Sequence, residues 1–172
     1  MGANMTETPQ KTSSPFNGSV ECGLRAAVLL YMLYPEQASF QRLIIYDYLL
    51  VHSDDVPDGP PGLHPKTPYR SGELLVRRDT LHRGLLLYMS RGLIDELYRE
   101  SGVAYVATER TGSFLDAMVS EYVHALRDRA EWVVDSFTSY SDSDLDTFVK
   151  EHLGEWGAEF KMDSVLWAED VP

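Results

Sequence analysis

The sequence predicts a mainly α-helical (α+β) protein built on a winged helix-turn-helix core. Three segments with helical spacing of apolar residues come first, and two short segments with alternating apolar residues follow them. Three helices followed by a β-hairpin is the order of a winged helix-turn-helix, whose hairpin is the wing. We therefore expect a disordered tail (1–15), a winged-helix domain (16–110), and a helical extension with an acidic C-terminal tail (111–172).

The first two helices are predicted from their polar starts and their apolar spacing. The first begins near Asn17–Ser19 and ends at Tyr34-Pro35, because the residue before a proline avoids the helical conformation. Ser39 can cap the second helix. The apolar side of the second helix holds Phe40, Leu43, Ile44, Tyr48 and Val51. Gln41, Arg42 and Asp47 are expected to face elsewhere.

The segment from His52 to Arg70 is predicted to be a loop, since it contains five of the nine prolines of the chain. Prolines restrict the unfolded backbone, so ordering this segment costs less entropy than ordering a glycine-serine linker. We expect an ordered docking loop in which the first two acids shape a turn. The candidate docking residues are Asp54, Asp55, Leu63, His64 and Tyr69.

A third helix is predicted from about Glu73 to Arg91, with Gly92 just past its end. Its buried stripe is Leu74, Leu81, Leu85 and Tyr88. The wing follows as two β segments, Leu93–Arg99 and Val103–Ala107.

Beyond Thr108 the pattern is helical, with a break near Ser120 and a last helix capped by Ser141 or Ser143. Residues 151–172 carry six acids against one lysine. Trp167 stands in a short apolar island before the acidic end. It is either an interface anchor, because tryptophan is enriched at binding hot spots, or part of a segment that packs on its own domain.

The composition restricts the function classes. A formal charge of -12 argues against a surface that binds nucleic acid throughout, although a local basic stripe remains compatible with it. The polar N-terminus lacks the apolar core of a signal peptide, and no apolar run reaches the length of a membrane span. We therefore expect a cytoplasmic protein. The single cysteine, Cys22, fits a small core residue better than a nucleophile.

A group of arginines on or beside the third helix is the first candidate site. In winged helices this element enters the major groove, where arginine contacts guanine edges or phosphates. The alternative is a solvated face, or arginines that pair with acidic neighbours. The candidates for DNA or partner contact are Arg70, Arg77, Arg78, Arg83 and Arg91.

Catalytic, cofactor and metal sites are not predicted. The loop residues His52, Asp54, Asp55, Asp58 and His64 include metal-binding types, but their spacing matches no compact ligand motif. These residues fit turn formation and hydrogen bonding to the loop backbone better. The sequence also contains no P-loop and no G-x-S-x-G nucleophile motif, so we expect a protein that is not an enzyme.

Three runs of the sequence stand out together: FNGSVECGLRAAVLLYMLYP, LIIYDYLLVHSDDV and GPPGLHPKTPYRSGELLVRRDTLHRGLLLYMSRGLI, the last of them followed by the predicted wing. Together they resemble a known family, the middle component of bacterial ABC three-component systems, which are relatives of the Lamassu defence operons. The resemblance covers about Phe16 to Phe137 and is most specific from His52 to Leu93.

The resemblance implies an accessory subunit that accompanies an ATPase related to SMC and Rad50 proteins, together with an effector that is often a nuclease. It also implies that the ATPase senses foreign DNA while the middle component helps to hold the effector inactive. The family supplies no catalytic residues to this sequence. Two other functions stay open, a stand-alone winged-helix transcriptional regulator and a metal-dependent hydrolase that uses the loop from His52 to His64.

Overall fold

Six α-helices and one small antiparallel sheet form the part of the chain that the computed structural model describes, residues 17–65 and 73–153. The helices are α1 (Ser19–Leu33), α2 (Phe40–Val51), α3 (Glu73–Ser90), α4 (Thr111–Asp116), α5 (Glu121–Phe137) and α6 (Asp142–His152). The strands are β1 (Ala38–Ser39), β2 (Ile94–Arg99) and β3 (Gly102–Ala107). The prediction of a mainly helical protein is confirmed. No helix in the described ranges has both the length and the apolar content that a membrane span requires.

Serine side chains cap three of the helices. Ser39 and Ser141 are predicted caps, and Ser120 lies at the predicted break in the helical pattern. The Ser39 hydroxyl accepts a hydrogen bond from the backbone N–H of Arg42, and Ser120 caps α5 in the same way. Ser141 forms a reciprocal capping box with Asp144 at the start of α6. α1 begins at the predicted position, but its N-cap is Gly18 and no side chain caps it.

The sheet contains the predicted hairpin and one strand that the sequence did not predict. β2 and β3 pair antiparallel from Ile94 opposite Ala107 to Arg99 opposite Gly102. β1 adds to the other edge of β3, so the order is β1-β3-β2. A two-residue strand is too short to show alternation in the sequence, and only the partner strand reveals it.

α2 is the central helix of the core. Its residues from Leu43 to Val51 are all buried, so other parts of the chain cover it on every side along that stretch. The prediction that Asp47 faces away from the core is therefore wrong, because this helix has no solvent side along that stretch. Gln41 and Arg42, one turn earlier, are partly exposed as expected.

α3 packs mainly along α1, and the C-terminal helices cover the remaining faces of α1 and α2. Leu126 and Val133 of α5 and Val149 of α6 belong to the same hydrophobic core as the residues of α1 and α2. The helical extension is thus joined to the N-terminal elements through a shared core.

Candidate functional site

A buried carboxylate ties α1, α2 and α3 together in the interior. Asp47 has no solvent exposure, and Arg25 and Arg77 are 1% and 6% exposed. Arg25 binds both carboxylate oxygens, with Nε 2.5 Å from Oδ1 and Nη2 3.2 Å from Oδ2. Arg77 donates from Nη1 to Oδ2. The structure thus places Arg77, one of the predicted contact arginines, in the core rather than on the surface of α3.

Opposite charges in this cluster stabilise one another in their charged forms. Burial alone disfavours the charged carboxylate, but Arg25 and Arg77 outweigh burial and lower the pKa of Asp47. Burial likewise opposes the charge of Arg25, and the adjacent Asp47 outweighs it and raises the pKa of that guanidinium. Asp47 and Arg25 are therefore both charged at neutral pH, and each compensates the buried charge of the other.

Cys22 lies beside this cluster as a buried neutral thiol. Arg25 donates from Nη2 to its Sγ at 3.1 Å, and the side chain is 2% exposed. Burial is the main reason that the pKa of Cys22 rises to about 11. A thiol with this pKa is a poor nucleophile at neutral pH, as expected for a small core residue.

The first part of the proline loop folds back on the end of α2. The backbone N–H groups of Leu63 and His64 donate to the Val51 carbonyl at 2.9 and 3.2 Å. The Ser53 hydroxyl donates to the Pro61 carbonyl at 3.2 Å, which closes the loop on itself. The predicted turn is a short 3₁₀ helix, Ser53–Asp55, and the loop is thereby tied to a buried helix end.

Side chains add a second set of ties to the loop. Tyr48 of α2 donates its hydroxyl to Asp55 Oδ2. His64 Nε2 lies 2.7 Å from the hydroxyl of Tyr122 on α5, and the two rings stack. The candidate docking residues Asp55 and His64 thus help to hold the loop in place. Asp54 is exposed. Tyr69 lies outside the described residues.

His64 is held in its neutral form. Burial is the largest cause that lowers its pKa, to about 4, and the charge of Arg25 and the ring of His52 act in the same direction. His52 is also buried, with its ring 4.9 Å from that of Tyr48 and 6.4 Å from that of His64. Within the described residues, no three His, Cys, Asp or Glu side chains form a group that could hold a metal ion.

The remaining contact arginines lie in three different environments. Arg78 donates to Gln41 Oε1 at 3.0 Å and covers the ring of Phe40 at 5.7 Å. Arg83 forms an exposed ion pair with Asp79 at 3.2 Å. Arg91 is exposed just beyond the C-terminal end of α3. The predicted stripe is therefore not one continuous surface. Arg70 and Trp167 lie outside the described residues.

The sequence prediction missed the two central partners in this arrangement, Arg25 and Asp47. A signal for them exists, because a lone acid in the apolar run IIYDYLLV and a lone arginine before AAVLL each lack polar neighbours. A charged residue inside an apolar run is costly unless it is paired, so two such residues predict each other. Tyr122 gave no comparable signal.

Comparison with known proteins gives one match. A model of the family described as ABC-three component (ABC-3C) system Middle Component 2 matches residues 15–159. No curated protein and no solved structure matches the chain.

Proposed function

The chain belongs to the Middle Component 2 family of ABC-three component systems, and from this premise we propose that it is a non-catalytic accessory subunit of a defence complex. A middle component of a multi-component system implies other subunits. In the proposed complex, the chain bridges an ATPase related to SMC and Rad50 proteins and an effector nuclease. It helps to keep the effector inactive until the ATPase meets foreign DNA, as in the related Lamassu systems.

The observation that carries this proposal is the family match across residues 15–159, which includes every helix and strand described above. The interior supports it in a secondary way. Polar groups that often carry chemistry serve here as ties between elements, as Asp47 does for α1–α3 and His64 does for the proline loop. Such ties suit a rigid scaffold that presents surfaces to other subunits.

The proposed fold for the N-terminal part is a winged helix. The element order α1-β1-α2-α3-β2-β3 and the sheet order β1-β3-β2 support this arrangement. In this arrangement α3 is the recognition helix and the β2–β3 hairpin is the wing. Of the arginines predicted to touch DNA, Arg83 and Arg91 have exposed side chains, whereas Arg77 is buried and is not available for such a contact.

Co-expression tests the bridging role. The chain is produced together with the ATPase and effector encoded beside it, and the products are separated by size-exclusion chromatography with light scattering. We expect one complex that contains all three proteins, and loss of the ATPase–effector association when this chain is left out. A chain that elutes alone, or an ATPase–effector complex that forms equally well without it, would refute the bridging role. ATP or DNA hydrolysis by the purified chain would refute the non-catalytic role.

A stand-alone transcriptional regulator is the second candidate, and the same element order favours it. A regulator binds its operator as a dimer and without an ATPase. The charge of -12 disfavours this alternative, because phosphates repel an acidic body. Mobility-shift assays of the purified chain against DNA from its own operon separate the two. Tight sequence-specific binding by the isolated chain would favour the regulator.

A further inference from the structure

An open cleft lies where the end of α3, the start of β2 and the turn before α4 meet. Its volume is about 810 Å³. The lining residues are Arg91, Leu93, Glu109, Arg110, Ser113 and Phe114. None of them takes part in the buried cluster around Asp47 or in the ties of the proline loop, so this cleft is a separate feature of the surface.

Two threonines fix the geometry of the cleft. The Thr108 hydroxyl donates to the Gly92 carbonyl at 2.7 Å, and the Thr111 hydroxyl donates to the Leu93 carbonyl at 2.7 Å. These bonds clamp the turn before α4 onto the turn after α3. Gly92 has a φ of +71°, which an L side chain rarely adopts. A Cβ at Gly92 would lie 2.9 Å from Arg110 Nη1, so the missing side chain makes room for that guanidinium.

The cleft carries two guanidinium groups that the rest of the described chain does not use. The side chains of Arg91 and Arg110 are exposed and make no hydrogen bond or ion pair with any described residue. Arg42 and Arg127, by contrast, are paired with carboxylates. Glu109 also lines the cleft and reduces its net charge to a single positive unit.

An apolar wall stands beside these charges. Leu93 is buried, and the half-buried ring of Phe114 packs edge-on against Tyr88 with 5.9 Å between the ring centroids. The contact with Tyr88 therefore fixes the position of the Phe114 ring, and the same ring lines the cleft. A ligand that fits both features has an anionic group for the two arginines and an adjacent apolar group for the ring.

We propose that this cleft binds an acidic side chain, flanked by an apolar residue, in a segment of a partner protein. Charge complementarity supports the carboxylate, because the Arg91 and Arg110 guanidinium groups bond to no described residue and guanidinium groups favour carboxylates as partners. A nucleic acid fits less well. It would bring many phosphates to a chain with a charge of -12, and the cleft offers only two cations with an acid beside them. The further statement that the partner is another subunit rests on the function proposed above.

A titration of the full chain tests the cleft without any other subunit. The probe is the peptide acetyl-Leu-Asp-Phe-amide, and the controls are acetyl-Leu-Asn-Phe-amide and a single-stranded oligothymidylate. Nuclear magnetic resonance follows the amides of Gly92 and Ser113 and the side-chain Nε–H groups of Arg91 and Arg110. We expect shifts with the aspartyl peptide that are weaker by about tenfold with the asparaginyl peptide.

Substitution of the two arginines gives the matched comparison. In R91Q/R110Q the shifts are expected to disappear. In the control R83Q/R99Q, which removes the same charge outside the cleft, they are expected to persist. The proposal would be overturned if the cleft signals do not shift with the aspartyl peptide or shift equally with the neutral peptide. A stronger response to the oligonucleotide would also overturn it, in favour of a nucleic-acid site.

The complex of all subunits then tests the identity of the partner. We expect R91Q/R110Q to weaken assembly by about tenfold or more and to reduce its salt dependence, while R83Q/R99Q assembles normally. Equal assembly of the cleft variant would overturn the proposal. If even the unaltered chain fails to assemble, the proposed function is wrong, and the peptide titration still decides whether the cleft takes an acidic ligand.

Discussion

Gly23 of α1 and Gly84 of α3 meet backbone to backbone. A Cβ on Gly84 would lie 2.6 Å from the Gly23 nitrogen, and a Cβ on Gly23 would lie 2.9 Å from the Gly84 carbonyl oxygen. Close to this contact, the Tyr88 hydroxyl donates to the Val20 carbonyl at 3.0 Å. Both glycines lie in helices, where alanine is normally preferred. Their presence is therefore explained by the close approach of the two helices.

Gly84→Ala is expected to destabilise the protein by about 1–3 kcal/mol, because backbone atoms cannot move aside as a flexible side chain can. The gain in helix propensity, about 1 kcal/mol, offsets only part of the clash. Urea unfolding followed by circular dichroism measures the change. Gly18→Ala is the control, since the first atom its Cβ meets is the movable carboxylate of Glu21, and a loss of about 1 kcal/mol or less is expected there because alanine is a poorer N-cap than glycine. A Gly84→Ala protein as stable as the unaltered chain would contradict the close crossing.

Asp47→Ala is expected to cost about 3–5 kcal/mol, because it removes the carboxylate that two buried arginines bind. The free energy of unfolding in urea is again the measurement. The control is Asp142→Ala. Asp142 pairs with Arg42 at 2.9 Å but is 54% exposed, and Arg42 keeps the Tyr140 carbonyl as a partner. A loss of about 1 kcal/mol or less is expected there. Equal losses in the two variants would contradict a special role for the buried cluster.

The contrast between Ser39 and Asp47 explains how far the sequence predicts this fold. A cap depends on residues within one helical turn, so the starts of α2, α5 and α6 were predictable from local sequence. The orientation of Asp47 depends on Arg25 and Arg77, which are 22 and 30 residues away. A periodicity argument assigns a charged residue to the solvent side, and α2 has no solvent side from Leu43 to Val51.

The same reason limits prediction of the candidate sites. The arginines of α3 were identified by type and position, but the burial of Arg77 and the exposure of Arg91 follow from which helices cover α3. Arg110 and Phe114 did not enter the predicted sites at all. They lie near Arg91 because two hydrogen bonds join the turn before α4 to the turn after α3. Thr108 bonds the Gly92 carbonyl, 16 residues away, and Thr111 bonds the Leu93 carbonyl, 18 residues away.

The pH dependence of stability should include a contribution from His64. Its pKa falls from 6.5 to about 4 on folding. The unfolded chain therefore binds a proton more readily between these values, and stability is lost as the pH decreases from 6.5 to about 4. The contribution of His64 to the slope of the free energy of unfolding against pH is at most about 1.4 kcal/mol per pH unit.

His64→Gln should remove that part of the slope. Urea unfolding at several pH values measures it, and His124→Gln is the control for replacement of an exposed histidine. The remaining loss of stability at lower pH has the sign expected for Asp47. The pKa of this carboxyl is lowered on folding, so its contribution is present at neutral pH and is lost as the carboxyl becomes protonated. An unchanged slope in His64→Gln would contradict the neutral, buried state of this histidine.

Thr111→Val is expected to destabilise the protein by about 1–3 kcal/mol, since it removes a hydroxyl that bonds two backbone groups, one of them on the buried Leu93. Thr111 has no solvent exposure, and its hydroxyl donates to the Leu93 carbonyl and accepts from the Thr108 N–H at 3.0 Å. Valine has nearly the same shape, so any loss comes from the missing hydrogen bonds rather than from a cavity. Thr111→Ser, which keeps the hydroxyl, should retain most of the stability.

Thr147→Val is the control, because the Thr147 hydroxyl donates to the Ser143 carbonyl on an exposed face of α6. Amide exchange of Leu93 and Thr108 should increase in Thr111→Val and not in Thr147→Val. If Thr111→Val and Thr147→Val unfold at the same urea concentration, the threonine clamp does not hold the two turns together.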